Sequence, residues 1–239
     1  MTILRTRYRL SMTAHSPLWT ESAYCFDCSG SDVTEFAHHL HRRVWRTSLD
    51  EPGFALIRLP RSTTSKHLRR LMFEIVEAMP LGFVPERLGR FDQQVTSRFH
   101  RDGAPSASFL LLGYEASSIP SSVFVADAHR AALRESLPID DYLARSNPMF
   151  PAGESKLLPF VTRIDIVPDE PYILAINNSL LPLDGSNPLG LLHKAEVSNP
   201  DATASRVINS MGLMLASETT ATRKSQAEVE HFLSREDLD

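Results

Sequence analysis

From Gln94 to Leu215 the apolar residues fall in short runs, each broken within a few positions by Gly, Pro, Ser or Asn. Runs of that length suit buried strands and are too short for helices of a bundle, so the texture predicts a barrel or sandwich of antiparallel strands. Strands are expected at 95–100, 106–113, 121–125, 157–167, 172–176, 189–197 and 205–215. One helical insertion interrupts them near 127–145, with Asp127 as cap of a helix over 128–136 and a second, Pro138-initiated turn through Ala144. Upstream, residues 1–30 show no sustained period and read as an irregular arm. Asp32 followed by Glu35 begins a helix with Phe36, Leu40 and Val44 on one face, running through Thr47. After Asp50, Pro52 and Gly53 comes a short buried strand over 54–59. The polar cluster at 62–65 then caps an amphipathic helix reaching Met79, with Leu68, Leu71, Met72 and Ile75 as its stripe. The last stretch, 217–239, is polar with a trace of Ala227, Val229 and Phe232, as in a surface helix or a frayed tail. The chain is thus mainly β with flanking helices: an N-terminal arm and helix over 1–52, a β domain over 53–216 and the C-terminal segment.

The 239 residues carry 25 Lys and Arg against 29 Asp and Glu, a formal charge of −4, with 42% apolar residues. This balance offers no basic stripe for a nucleic acid and allows a core that needs no disulfide or structural metal. No run approaches the roughly 18 apolar residues of a membrane helix, and Arg5, Arg7 and Arg9 replace the apolar stretch of a secretory signal. The expectation is a cytoplasmic protein with no membrane partner. Cys25 and Cys28 are the only cysteines.

Phosphate loops, a Gly-x-Ser-x-Gly elbow and a His-Glu-x-x-His helix are all missing. What remains is the segment Ser97-Arg98-Phe99-His100-Arg101-Asp102-Gly103. Strand alternation would aim His100 and Asp102 at one face, leaving Arg101 on the opposite, solvated side. His193, 93 residues later, supplies a third ligand. Two His and one carboxylate with open positions suit non-haem Fe(II), since they leave residual positive charge for an anionic cosubstrate and then O₂. Such an anion needs a fixed cation. Arg206 follows His193 by 13 residues, enough for one strand, a turn through Asn199-Pro200-Asp201 and the start of the antiparallel partner. Ile208 and Ser210 should share its face, with Ser210 a second contact.

The order His100-x-Asp102, His193, Arg206 resembles the Fe(II)/2-oxoglutarate-dependent dioxygenases, whose core is a double-stranded β-helix, the cupin-like jelly roll. The resemblance extends to 52–57 with the helix that follows, similar to clavaminate-synthase-like and taurine-dioxygenase-like members, and to Asn177 and Asn178 ahead of the distal His. It implies His100, Asp102 and His193 as catalytic iron ligands, and Arg206 as the clamp on the distal carboxylate of 2-oxoglutarate, to which strand alternation adds Ser210. Asn178 is a candidate for orienting substrate, equally a turn residue. The implied activity is hydroxylation or a related oxidation of a small organic molecule by O₂, with release of succinate and CO₂. Asp102 argues against halogenation, for which relatives carry a small residue there. Ile208 departs from the Ser often found two residues after the clamp, and the insertion over 181–188 is expected near the substrate mouth.

Two other readings keep the same residues. A cupin-like metalloenzyme would use the triad without 2-oxoglutarate, and a silent jelly roll would only bind. Cys25 and Cys28 with His38 and His41 form a rival zinc set, but nine residues separate the pairs where about 12 are usual. His67, His129 and His231 read as structural, and Asp127 as a cap.

Overall fold

The computed structural model describes residues 17–27, 32–103, 107–179, 189–218 and 223–239. Among them are nine strands in two sheets and seven α-helices, a mixed α and β architecture around a β-rich core. In chain order these are α1 (Glu21–Tyr24), β1 (Cys25–Asp27), α2 (Val33–Val44), β2 (Phe54–Arg58), α3 (Ser65–Glu77), β3 (Phe83–Asp92), β4 (Ser108–Tyr114) and β5 (Ser121–Ala126). Next come α4 (Ala128–Arg134), α5 (Ile139–Arg145), α6 (Pro151–Leu157), β6 (Val161–Ile166), β7 (Tyr172–Asn177), β8 (Leu192–Val197), β9 (Val207–Leu215) and α7 (Gln226–Ser234). No helix among the described residues is long and apolar enough to cross a membrane.

The larger sheet has the order β1-β2-β7-β4-β9-β3 and the smaller β6-β5-β8. All pairings are antiparallel except β1 with β2. Residues 95–100, where a strand was expected, form none: they run beside β8, where Ser97 N–H donates to Ala195 O and His100 and His193 make a single bridge by exchanging backbone hydrogen bonds. Alternation sorts the strand residues into layers. Leu110, Leu112 and Tyr114 of β4 meet Val123 and Val125 of β5 and Leu174 and Ile176 of β7 between the sheets. The intervening Phe109 and Leu111 pack outward on α2 and α3, whereas Phe124 and Ala126 of β5 pack outward on α4 and α5. Every residue of β4 is buried. A strand covered on both faces needs apolar residues at both parities, which is why 109–112 is a continuous run.

The elements differ from expectation where local chemistry competes. β3 was not anticipated: Pro85, Glu86, Arg87 and Gly89 break its pattern, and such a strand is tolerable because it forms an edge and shifts register between Pro85 and Arg87. The strand expected over 157–167 begins only at Val161, because Pro151 at the start of α6 and Pro159 in the following 3₁₀ turn hold the chain helical. β1 orders part of the expected arm, and Tyr24 beside it packs on Phe54 with ring centroids 5.0 Å apart. The C-terminal segment is a docked helix. Ser225 and Glu228 form its capping box, Phe232 is buried, and Arg69 donates to the carbonyls of Leu233 and Arg235.

Asp127 caps α4 by accepting from Arg130 N–H, and it also holds Arg46 at 2.7 Å with both side chains essentially buried. Arg46 Nε donates to Leu189 O, so this pair ties the end of α2 to the approach to β8. Gly53, at φ 77°, makes room for it: a Cβ there would lie 2.7 Å from Arg46 Nε. Removing one member of a buried pair leaves the other charge uncompensated. Asp127→Ala should therefore cost about 3–5 kcal/mol in urea unfolding, against about 1 kcal/mol for Ser225→Ala, which loses only a helix cap.

Candidate metal centre

His193 stands opposite Val125 in the β5–β8 pairing, which places it on the face between the sheets. His100 is its backbone partner, with N–H···O distances of 3.0 and 2.8 Å, and the two imidazole centroids lie 4.3 Å apart. Directly opposed residues of an antiparallel pair share a face. Asp102 reaches the same place differently from the alternation expected: the pairing ends at His100, and Asp102 lies in the loop beyond it. Asn178 Nδ2 donates to Asp102 O at 3.1 Å, and Arg101 donates to Asn178 O at 3.0 Å, so Arg101 braces the loop rather than being solvated. One donor atom from each of His100, Asp102 and His193 lies within 4.8 Å of the others.

The local electrostatics favour a cation among them. His100 Nδ1 lies 2.6 Å from Arg98 O, so this nitrogen carries hydrogen, and Nε2 faces Asp102 Oδ1 at 3.5 Å. With two acceptors across one ring, Nε2 and the carboxylate need a shared positive species, either a proton or a metal ion. Without metal, the hydrogen bond to Asp102 raises the His100 pKa, burial opposing it, and the same bond lowers that of Asp102. His193 is driven the other way, to about 4, first by burial and then by the His100 charge. Its Nδ1 is buried without a partner.

Arg206 precedes β9 and is 2% exposed. Its Nε donates to Ser121 Oγ and its Nη1 to Gln93 O, both at 2.9 Å, while its guanidinium lies 5.2 Å from the Tyr114 ring centroid. Nη2 is buried without a partner, and no carboxylate of the described residues forms an ion pair with the side chain. Ser121 is opposite Val197, four residues and about 13 Å along β8 from His193 at the backbone, and the Arg206 side chain enters the same interior there. Ser210 is on the inner face but lines a cavity with Asp102 and does not touch Arg206. Sequence reasoning missed Tyr114 and Ser121 beside Arg206, since only strand register brings them there, and it missed Arg87, which lines the cavity.

Of the rival zinc set, Cys28 lies outside the described residues, as does the insertion over 181–188. His41 stacks on Trp45, and His38 is exposed. His129 is buried on α4 with both ring nitrogens unpartnered, and burial lowers its pKa to about 4.

No family model matches the sequence, and no curated protein matches it.

Asn178→Ala should weaken divalent-metal affinity about 10- to 100-fold, as loss of a residue that orients a ligand does, measured by competition with a chelator. Metal-free protein should lose stability as pH falls from 6.5 to about 4, because the unfolded chain takes up protons that His193 and His129 exclude. His100 acts only above this window, where deprotonation removes its stabilising contact, and Asp102 only below it. Urea midpoints at about pH 7 and about pH 5 should differ less in His129→Leu.

Proposed function

We propose that this protein is a non-haem Fe(II)- and 2-oxoglutarate-dependent oxygenase that oxidises a small organic molecule on a jelly-roll core. The observation that carries this reading is the pairing of one interior's two features: a His-Asp-His donor set within 4.8 Å, and a buried Arg206 that lacks a carboxylate partner among the described residues. The strand order supports the fold assignment. From β3 the chain crosses between sheets at each step except β5 to β6, with β3-β9-β4-β7 in one sheet and β8-β5-β6, flanked by the 96–100 segment, in the other, the order expected of a double-stranded β-helix.

The donor set fits ferrous iron. Two neutral imidazoles and one carboxylate leave a divalent ion with a net charge near +1 and open positions, which suits a chelating keto acid and O₂. Arg98 O holds His100 in the tautomer with Nε2 toward the site, while burial keeps His193 neutral and therefore able to ligate. When bound, iron and 2-oxoglutarate supply the oxidising power, ending in succinate, CO₂ and an oxidised substrate. The protein's part is to hold the three ligands, to present Arg206 Nη2 to the distal carboxylate, and to keep the space between them dry with Ile208, Leu112 and Val123.

A second reading, the same triad without 2-oxoglutarate, has one observation in its favour: two of the Arg206 nitrogens are already engaged by Ser121 and Gln93. Anaerobic titration with Fe(II) and then 2-oxoglutarate separates the two. The expected result is a visible charge-transfer band; bound iron without the band supports the second reading, and no iron binding overturns both. Asp102→Ala should abolish succinate formation, and Arg206→Ala should raise the 2-oxoglutarate requirement by about tenfold or more, as loss of a charge-assisted bidentate contact does.

A further inference from the structure

A cavity of about 140 Å³ opens between β3, β4 and β9, bounded by Arg87, Phe91, Asp102, Leu110, Ser210 and Gly212. Among the described residues Asp102 and Arg87 are its only charged lining groups, and they differ in what surrounds them. Asp102 belongs to the donor set with His100 and His193. The Arg87 side chain makes no hydrogen bond or close ion pair with a described residue, and its charge acts on Asp102 and Arg101 only at longer range. The sheet is nevertheless shaped around it. Gly212 is the register partner of Arg87, and a Cβ at Gly212 would stand 3.3 Å from Arg87 Nε and 3.5 Å from its Cβ. Glycine in a strand marks such a close approach, and here it lets the arginine lie across the face of β9 beside the cavity.

We infer that this cavity is a subsite for the carboxylate of the molecule being oxidised, with Arg87 as its counter-charge, so that the substrate is a small organic acid. The inference rests on the oxygenase reading for what happens at the other end of the cavity, but the subsite itself stands on Arg87, Gly212 and the cavity they share. An oxygenase acting on an acid holds two anions, cosubstrate and substrate, and the protein offers two guanidiniums in different settings. Arg206 is buried on the interior and Arg87 is exposed at the cavity. The fixed, dehydrated cation suits a cosubstrate that is the same in every turnover. The accessible one suits a substrate that must enter and leave. Size limits the acid: a cavity of about 150 Å³ admits benzene, so about six non-hydrogen atoms fit between the carboxylate at Arg87 and the reacting carbon near Asp102. Phe91 and Leu110 provide the apolar walls for that stem.

The test compares acids with their neutral amides. Calorimetry on metal-free protein with butanoate and benzoate, against butanamide and benzamide, reads the subsite alone. Each acid should bind about tenfold or more tightly than its amide, a preference lost in Arg87→Gln and partly kept in Arg87→Lys. In parallel, the same acids should perturb the anaerobic charge-transfer band of the Fe(II)- and 2-oxoglutarate-loaded protein. Equal binding of acid and amide, or an unchanged preference in Arg87→Gln, overturns the subsite even if the band forms. So does an Arg87→Gln variant that loses affinity for 2-oxoglutarate instead, which would make Arg87 the cosubstrate clamp. An acid preference that depends on Arg87 in a protein that never forms the band supports the subsite and overturns the oxygenase reading.

Discussion

The backbone pairing of His100 with His193 is the constraint on which the candidate centre depends. Two hydrogen bonds across one residue pair fix both imidazoles on the same face and bring their rings to 4.3 Å. They also mark the last point at which residues 96–100 run beside β8. Released there, the chain turns Asp102 back toward the rings, and Asn178 from the end of β7 holds it through its carbonyl. A carboxylate delivered by a loop and two imidazoles delivered by a sheet thus meet at one place.

Buried arginines are handled in contrasting ways in this molecule. Arg46 has the carboxylate of Asp127 at 2.7 Å, and Arg69 and Arg90 share Glu115. These pairs link helices and the C-terminal segment to the sheets, and removing a member would strand a charge away from water. Arg206 has only neutral acceptors, a hydroxyl and a carbonyl, and the face of Tyr114. The guanidinium without an anion is the one on the face between the sheets, where a ligand's charge would be most strongly felt.

Much of the fold was legible in the sequence because its strong signals are local. Asp32 and Thr64 cap α2 and α3, and the apolar stripes of both helices are the buried ones. The strands β4, β5, β7, β8 and β9 coincide with the short apolar runs. β3 was not legible, since an edge strand tolerates Pro85 and charged residues that an inner strand would reject. For the site, residue types at ordered spacing pointed to His100, Asp102 and His193, and these do converge. The expected geometry, alternation along one strand, was incorrect for Asp102, because a loop conformation held by Asn178 leaves no periodic trace. Asp127 was legible as a cap but not as the partner of Arg46, which is 81 residues away in sequence. Pairings across such distances follow from register and helix docking, which local patterns do not encode.

The edge strand β3 has a further property. On its open side, Lys224 N–H donates to Pro85 O, and Asp239 exchanges hydrogen bonds with Arg90, using its own N–H and its carboxylate. The proline offers no amide hydrogen, and the C-terminal segment occupies groups that would otherwise template an incoming strand. The β3 edge of the larger sheet is thereby covered against edge-to-edge growth from a neighbouring molecule, a safeguard against aggregation built from the same stretch of chain that flanks the cavity wall at Gly89.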